Sequence, residues 1–256
     1  WRNKGSQAGF GVKETSQFLL VKSDDDGQSW GQPVNLTTTC KQKDWWLWAP
    51  APGNGITMDD GTLVFPTQGR DKNGLPFSNI TYSKDGGKTW RTSNPAFTNT
   101  TESAVIQLND GSLMLNTRDN RNRIVKGAKN GRAIATTNNL GESWKEHPSS
   151  HNSLQESVCM ASLLKHKYTE NGEKKSVLLF SNPNIQDGPR RKTTIKVSFD
   201  NGLTWPEKYW MLLDEGSSRG YSCLTSIDEK TIGILFESSQ ADLVFQRILL
   251  NDLIGN

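Results

Sequence analysis

The feature that most constrains what this chain can fold into is an eight-residue motif that occurs four times along it. The motif has the pattern S/T-x-D/N-x-G-x-S/T-W, and its copies stand at residues 23–30, 83–90, 137–144 and 198–205. Their acidic or amide positions lie 60, 54 and 61 residues apart, at Asp25, Asp85, Asn139 and Asp200. A repeat of about 55–60 residues that contains several short strands approaches the size of a propeller blade. The repeat therefore predicts an all-β chain folded as a β-propeller.

Each position of the motif suits a tight turn. The Asp or Asn side chain is expected to bond the backbone two residues further on, and the Gly supplies a positive φ that other residues resist. The Trp can cover the hairpin with a large apolar face. Because each copy follows an extended run, each is predicted to join two strands of one sheet. The alternative is a β-helix or a sandwich with repeated hairpins, but the repeat is long for a solenoid.

Composition excludes several classes of protein. The 256 residues suffice for one large domain, yet no stretch approaches the roughly 18 consecutive apolar residues of a membrane span. The net charge of +3 comes from residues that form no long basic stripe, so no nucleic-acid partner is expected. The three cysteines have no CxxC spacing, the three histidines have no metal-ligand spacing, and no Gly-rich phosphate loop is present. We therefore expect neither a metal nor a cofactor.

The four turns resemble the Asp-boxes of the sialidase family, whose catalytic domain is a six-bladed β-propeller. Asp-boxes also occur in non-catalytic propellers such as sorting receptors, so they imply blades without implying an enzyme. The more specific part of the resemblance is a set of polar residues at the spacings of the family.

The first matching pair is Glu102 and Arg118. In the family, a glutamate precedes an Asp-Gly turn, and an arginine follows the next strand sixteen residues after that glutamate. Here Glu102 stands in TTESAVIQL, an Asp-Gly pair follows, and Arg118 completes the spacing. A further family arginine lies ahead of the fourth motif, where this chain has Arg190 and Arg191 side by side. We favour Arg190 from its distance to the turn, and Arg191 is the other candidate.

The second matching pair is Tyr221 and Glu237. The tyrosine nucleophile of the family sits in a Gly-Tyr-Ser segment, which is residues 220–222 here. A glutamate closes the following strand sixteen residues later, and Glu237 occupies that position. In the family, this glutamate braces the first of three arginines that bind the substrate. The resemblance thus extends from the first motif to the last strand of the chain.

The resemblance implies a glycoside hydrolase, a retaining exo-α-sialidase that removes terminal sialic acids from glycoproteins, glycolipids and oligosaccharides. Arg118 and Arg190 would bind the substrate carboxylate, since a guanidinium forms two parallel hydrogen bonds with a carboxylate. Tyr221 would be the nucleophile, because a carboxylate nucleophile would be repelled by the carboxylate of the substrate, and Glu102 would be the base. An extracellular or periplasmic location is expected from the substrate. The alternatives are a non-catalytic propeller that binds glycan or protein, and a trans-sialidase.

The sequence departs from the family pattern in one region. The first substrate-binding arginine, in an Arg-Ile-Pro segment, and the aspartate that protonates the leaving group have no match. Six blades of about 55–60 residues need roughly 350 residues. We therefore expect one partial propeller of four to five blades over residues 1–256, truncated on its N-terminal side. The chain opens with Trp1 and shows no signal peptide, which agrees with that expectation.

Overall fold

The computed structural model describes residues 6–255. Trp1 and the residues next to it, which entered the expectation of a truncated start, lie outside the described residues. Within residues 6–255, nineteen β-strands form four larger sheets and one two-stranded ribbon, accompanied by two short α-helices. None of the helices in this range is long and apolar enough to cross a membrane.

The elements follow the chain sheet by sheet. The ribbon and the helix after it are β1 (Leu19–Leu20), β2 (Val34–Asn35) and α1 (Thr37–Cys40). The first sheet has six strands: β3 (Leu47–Pro50), β4 (Ile56–Thr57), β5 (Leu63–Arg70), β6 (Pro76–Ser83), β7 (Arg91–Thr92) and β8 (Phe97–Thr98). The second sheet contains β9 (Thr100–Gln107), β10 (Leu113–Asp119), β11 (Ala133–Thr137) and β12 (Lys145–Glu146). The third contains β13 (Ser162–Glu170), β14 (Glu173–Pro183), β15 (Arg191–Ser198) and β16 (Trp210–Ser217). The fourth contains β17 (Ser222–Asp228), β18 (Thr231–Phe236) and β19 (Val244–Leu249), and α2 (Leu250–Ile254) follows it.

The sheets form the blades of a propeller. Within each sheet the paired strands are antiparallel, and the second to fourth sheets keep the order of the chain. Each sheet then packs on the next: β5 and β6 contact β9, β9 contacts β13, and β13 and β14 contact β17. The predicted all-β propeller is confirmed, with four blades and an outer ribbon within the described part of the chain.

The core lies between the blades. On β14, Leu178 and Phe180 pack in a cluster with residues of the second sheet, whereas Val177 and Leu179 pack in a cluster with residues of the fourth. Successive side chains of a strand point to opposite faces, and both faces of this sheet are covered by a neighbour. The continuous apolar run at residues 177–180 follows from that double burial. Each fully buried side chain of this kind stabilises the fold by about 1.5–3 kcal/mol.

The four repeated turns join strands as predicted, but their hydrogen bonds differ from the expectation. In the second copy, the carboxylate of Asp85 accepts from the backbone N–H of Thr89 (2.9 Å) and from its hydroxyl (2.7 Å). The backbone N–H of Gly87 instead donates to the Ser83 hydroxyl (2.9 Å). The carboxylate therefore bonds the backbone four residues on rather than two, because the serine already accepts from the nearer N–H. Trp90 closes the turn by donating from Nε1 to the Gly87 carbonyl (3.0 Å).

The motif turns and the predicted site residues lie at opposite ends of the sheets. Thr137 begins the third copy and pairs with Leu113, which in turn pairs with Gln107. Glu102 and Arg118 stand at the other ends of the same two strands, β9 and β10. Because antiparallel strands reverse at each turn, the predicted site residues gather on the face of the propeller opposite to the repeated turns.

Candidate active site

Glu102 and Arg118 meet across a β-bulge. The register between β9 and β10 shifts between Thr117 and Asp119, so that two residues of β9, Thr101 and Glu102, oppose Arg118 alone. A bulge re-aims side chains that a regular ladder would send to alternate faces. Arg118 Nη1 donates to Glu102 Oε2 over 2.5 Å, and the exposed fractions of the two side chains are only 16% and 14%.

Tyr221 reaches this pair from the fourth sheet. It stands immediately before β17, and its hydroxyl donates to Glu102 Oε1 over 2.5 Å, although the two residues are 119 positions apart in the sequence. Charge-assisted O–H···O⁻ bonds are the short, strong ones in proteins. Each oxygen of Glu102 thus has one partner, with Arg118 on Oε2 and Tyr221 on Oε1.

The surroundings keep the phenol of Tyr221 protonated. Burial, followed by the hydrogen bond to Glu102 and the negative charge of that residue, raises the pKa of Tyr221 to about 12, and Arg118 opposes the change. Burial by itself would lower the pKa of the Arg118 guanidinium, but the charge of Glu102 raises it overall. The phenol therefore cannot become a nucleophile at neutral pH unless a base removes its proton as it reacts.

Glu237 holds the backbone of Tyr221. Its Oε2 accepts from the Tyr221 backbone N–H (2.8 Å), and its own backbone N–H donates to the Tyr221 carbonyl (2.9 Å). These bonds extend the pairing of β17 and β18 by one residue and fix where the phenol side chain begins. The contact between Glu237 and an arginine, which the resemblance implies, stays a prediction.

Arg190 lies against the ring of Tyr221. Its guanidinium carbon is 5.7 Å from the ring centroid, a cation–π arrangement. Nη1 donates to the Arg219 carbonyl (2.7 Å) and Nη2 to the Val158 carbonyl (3.0 Å). Arg118 and Arg190 therefore flank the Tyr221–Glu102 pair, one on the carboxylate and the other on the aromatic ring.

Gly220 makes the approach of Arg190 sterically feasible. Its φ is +91°, and a Cβ at this position would lie 2.8 Å from Cδ of Arg190 and 2.7 Å from Cγ of Pro183. Arg191, the other candidate, begins β15, pairs with Ser217 and approaches Gly188. The structure thus brings Arg190 to Tyr221. The role of either arginine in binding substrate stays a prediction.

Two depressions meet at the Tyr221–Glu102 hydrogen bond. Tyr221 and Glu237 line a cavity of about 480 Å³ that also contacts β9, β13 and β17. Glu102 and Arg118 line a neighbouring cleft of about 440 Å³. Among residues 6–255, no group of three or more His, Cys, Asp or Glu side chains could hold a metal ion.

Comparison with known proteins places this propeller in a family. The profile of the family described as the BNR repeat-like domain matches residues 2–207. This chain belongs to that family. The match covers the repeated turns, all four of which lie within residues 2–207.

Sialidases are among the relatives of this BNR repeat-like chain. The sialidase of Bacteroides fragilis is 50% identical over 249 residues, which are 97% of this chain and 44% of that protein. The sialidase of Paraclostridium sordellii is 30% identical over 263 residues, with 93% and 61% covered. A solved structure, a Hadza microbial sialidase, superimposes with a TM-score of 0.90 and 48% identity, over 99% of this chain and 47% of that one. The chain spans about half the length of the relatives it matches.

A fully buried ion pair behind the site escaped the sequence analysis of this BNR repeat-like chain. Arg132 and Glu156 are both 0% exposed, and Nη1 lies 2.6 Å from Oε2. Glu156 Oε1 accepts from the backbone N–H of Asp119 (2.7 Å), and Arg132 Nη1 donates to the Cys159 carbonyl (2.7 Å). The pair therefore ties the residue after Arg118 to the segment whose carbonyl holds Arg190. The signal in the sequence is that Arg132 directly precedes the apolar run at residues 133–135, and this pattern does not indicate which acidic residue pairs with it.

Proposed function

We propose that this chain supplies part of the active site of a retaining exo-α-sialidase. The observation that carries the proposal is the 2.5 Å hydrogen bond from Tyr221 to Glu102, whose second oxygen accepts from Arg118. Homology to sialidases over nearly the whole chain supports the same activity. Sialylated glycoproteins, glycolipids and oligosaccharides are the proposed substrates, and an extracellular or periplasmic site of action follows from them.

Arg118 is the proposed partner of the substrate carboxylate. A guanidinium has five N–H donors, and a bidentate contact with a carboxylate uses two of them. One donor of Arg118 bonds Glu102, while its buried Nε has no hydrogen-bond partner among residues 6–255. An unpaired buried donor costs about 1–3 kcal/mol, so an anionic ligand there removes a penalty. Arg190 adds positive charge on the other side of the phenol.

In the first step, the phenol oxygen of Tyr221 attacks the anomeric carbon of sialic acid. The phenol proton passes to Glu102 Oε1 along the existing hydrogen bond, and the bond from the anomeric carbon to the aglycone oxygen breaks. That oxygen takes a proton from an acid, which in the family is the aspartate that has no match here. The product of the step is a covalent aryl glycoside, in which the Tyr221 oxygen has replaced the aglycone oxygen on the anomeric carbon.

In the second step, water attacks the same anomeric carbon from the side that the aglycone left. Tyr221 departs and regains a proton from Glu102, and the acid that protonated the aglycone accepts the proton of the water. Two displacements restore the original configuration, so the reaction proceeds with retention. The substrate carboxylate stays on Arg118 throughout, which keeps the anomeric carbon near the phenol.

The test uses the full-length protein and a fluorinated sialyl fluoride, which slows the second step and allows the covalent species to accumulate. We expect mass spectrometry to find the sialyl adduct on the peptide that contains Tyr221. Tyr221→Phe is expected to lose the adduct and to lower kcat by about 10³-fold or more. The control is Tyr82→Phe, a tyrosine on β6 beside a repeated turn, which is expected to keep both.

An adduct on a different residue, or an undiminished kcat in Tyr221→Phe, would overturn the nucleophile. Binding of sialosides without hydrolysis would point to a non-catalytic glycan-binding propeller. Transfer of sialic acid to an acceptor sugar in place of water would identify a trans-sialidase.

A further inference from the structure

The cleft beside Glu102 and Arg118 is larger than a single carboxylate requires. It occupies about 440 Å³ between the first and second sheets, two consecutive blades that contact each other through β5, β6 and β9. Its walls carry polar side chains from both blades, and these are Gln68, Arg70, Asn99, Asn120 and Arg123. A ligand that reaches Arg118 therefore has a polar surface beside it on which a second sugar can lie.

The cleft carries an excess of positive charge. Arg70, Arg118 and Arg123 line it. Among the described residues, Glu102 is the one carboxylate in its lining, and it already binds Arg118 and Tyr221. Within residues 6–255, neither Arg70 nor Arg123 forms an ion pair. Two cationic groups thus face a shared space without a protein anion to neutralise them.

Local structure fixes the backbone of these two arginines at the edge of the cleft, and a hydrogen bond also holds the side chain of Arg70. Arg70 ends β5, is half-buried, and donates from Nη1 to the Gly74 carbonyl (3.0 Å), which leaves its other donors free to bind a ligand. Arg123 ends the 3-10 helix Asn120–Arg123, whose first turn is capped by the side chain of Asp119. Since a guanidinium held in advance loses less entropy when it binds an anion, the bond to Gly74 favours binding by Arg70.

Two residues that line the cleft have buried polar atoms without a hydrogen-bond partner among residues 6–255. Thr101 Oγ1 and Arg118 Nε are both buried, and neither has a hydrogen-bond partner in the described part of the chain. Thr101 is one of the two residues that the β-bulge places opposite Arg118. Buried polar atoms are usually satisfied in native proteins. Arg118 Nε is the donor already proposed for the carboxylate of the terminal sialic acid, so Thr101 Oγ1 is the atom that points to a further polar group of the ligand.

We propose that this cleft is a subsite for a second anionic group on the aglycone of the substrate. The inference rests on the proposed function, in which Arg118 binds the one carboxylate of the terminal sialic acid. A second anion must then belong to the neighbouring sugar, as the carboxylate of a penultimate sialic acid or as a sulfate ester. Arg70 and Arg123 bind that anion, and the amides of Gln68, Asn99 and Asn120 bind sugar hydroxyls.

The experiment measures kcat/KM of the full-length protein on two matched pairs of substrates. One pair is sialyl-lactose and its α2,8-linked disialyl form, and the other is sialyl-lactosamine with and without a sulfate on the neighbouring sugar. The variants are Arg70→Gln, Arg123→Gln and the double variant. We expect the preference for the dianionic substrate to fall about threefold for each single change and about tenfold for both, with the monoanionic rate unchanged. Because both substrates of the second pair have the same scissile linkage, that pair separates the effect of the added charge from that of the linkage. Comparison of the two pairs then distinguishes a carboxylate from a sulfate.

Arg247→Gln on β19 is the matched control, since Arg247 is exposed, as Arg123 is, but lies on the fourth sheet. It is expected to keep the wild-type preference, and added salt is expected to weaken the preference only in proteins that retain Arg70 and Arg123. A preference that survives in the double variant, or an equal loss on all four substrates, overturns the subsite while the proposed function stands. Failure to hydrolyse even the monoanionic substrates overturns both.

Discussion

Gly220 is the residue on which the packing of Arg190 against Tyr221 depends. With φ at +91° and two side chains within 2.8 Å of the position of a Cβ, it resists substitution for two separate reasons. We expect Gly220→Ala in the full-length protein to raise KM about tenfold or more, because Arg190 must move away from the phenol. Steady-state kinetics on a monoanionic sialoside provides the measurement.

The matched control for that variant is Gly111→Ala. Gly111 has a similar φ of +86°, but a Cβ there meets nothing within 4 Å, and the residue lies at the opposite end of the blade. Both variants pay a backbone strain of about 1–2 kcal/mol. Only Gly220→Ala is expected to change KM. Equal effects of the two on KM would show that Arg190 does not take part in binding.

Lys196 predicts a dependence of stability on pH. It is buried on β15, its Nζ lies 4.5 Å from the Trp210 ring centroid, and that atom has no hydrogen-bond partner in the described part of the chain. Burial lowers the pKa of Lys196 from 10.5 to about 7. Between those two values the unfolded chain binds more protons than the folded one, so the contribution of Lys196 to stability rises with pH across this window.

Lys196→Met removes the buried amine at nearly constant volume. We expect the variant to have the larger free energy of unfolding at pH 7, and its advantage over the wild type to shrink as pH rises towards 10. Denaturant unfolding at pH 7, 8.5 and 10 measures the difference. A difference that is the same at all three pH values would contradict the assignment.

At the scale of the element, the Arg132–Glu156 pair connects the end of β10 and the start of β11 to the loop between β12 and β13. Glu156→Gln leaves the Arg132 charge buried without a full partner, and breaking such a pair costs about 3–5 kcal/mol. We therefore expect a lower midpoint of unfolding. We also expect a higher KM at temperatures where the variant is folded, because the amide keeps one acceptor oxygen for two donors, the Asp119 N–H and Arg132 Nη1, so the anchor of the backbone next to Arg118 is weakened.

A double variant separates stability from positioning. Arg132→Met with Glu156→Leu removes both charges, and replacing a buried pair with apolar residues often restores stability. It is expected to unfold at a higher midpoint than Glu156→Gln, because no charge is left buried alone, but below the wild type, because the buried Asp119 N–H loses its partner. Its KM is expected to stay raised, since neither new side chain can bond Asp119 or Cys159. Recovery of both properties would mean that the pair acts only through stability.

At the scale of the whole molecule, the site is assembled from three blades. Glu102 and Arg118 come from the second sheet, Arg190 lies ahead of β15 in the third, and Tyr221 lies ahead of β17 in the fourth. We expect a bound sialic acid analogue to slow amide hydrogen exchange in segments 100–107, 113–119, 186–194 and 217–224. Exchange in the turns at 137–144 and 198–205 is expected to stay unchanged. Protection confined to one sheet would contradict a site shared between blades.

Much of the architecture could be predicted because it depends on local signals. The turn at residues 83–90 forms from hydrogen bonds among Ser83, Asp85, Gly87 and Thr89, so its geometry depends only on eight consecutive residues. The apolar run at 177–180 likewise indicates a strand covered on both faces. One detail of the turn was predicted wrongly, namely that the Asp85 carboxylate would accept from the N–H of Gly87. The Ser83 hydroxyl accepts from that N–H instead, and the sequence did not show which of the two side chains would do so.

Other features of the site depend on contacts that no local pattern records. Three such features involve segments from different strands or sheets. They are the bulge opposite Arg118, the buried partner of Arg132 and the cleft that Arg70 shares with Arg123. The resemblance left Arg190 and Arg191 as candidates, and the sequence favoured Arg190 only from its distance to the turn. In the structure Arg190 packs on the Tyr221 ring beside Gly220, and which arginine binds the substrate stays a prediction.

By itself, the sequence determined the repeated turns, the strands between them and the residue types available for chemistry at each strand end. Only the tertiary structure decided which of those residues meet. Tyr221 and Glu102 lie 119 positions apart, and their contact exists because the second, third and fourth sheets pack in order around one centre. The physical reason is the sequence separation of the interacting residues. Hydrogen bonds within a turn depend on residues that are neighbours in the sequence. The position of one blade against another depends instead on the summed packing of apolar side chains across both faces of the sheets.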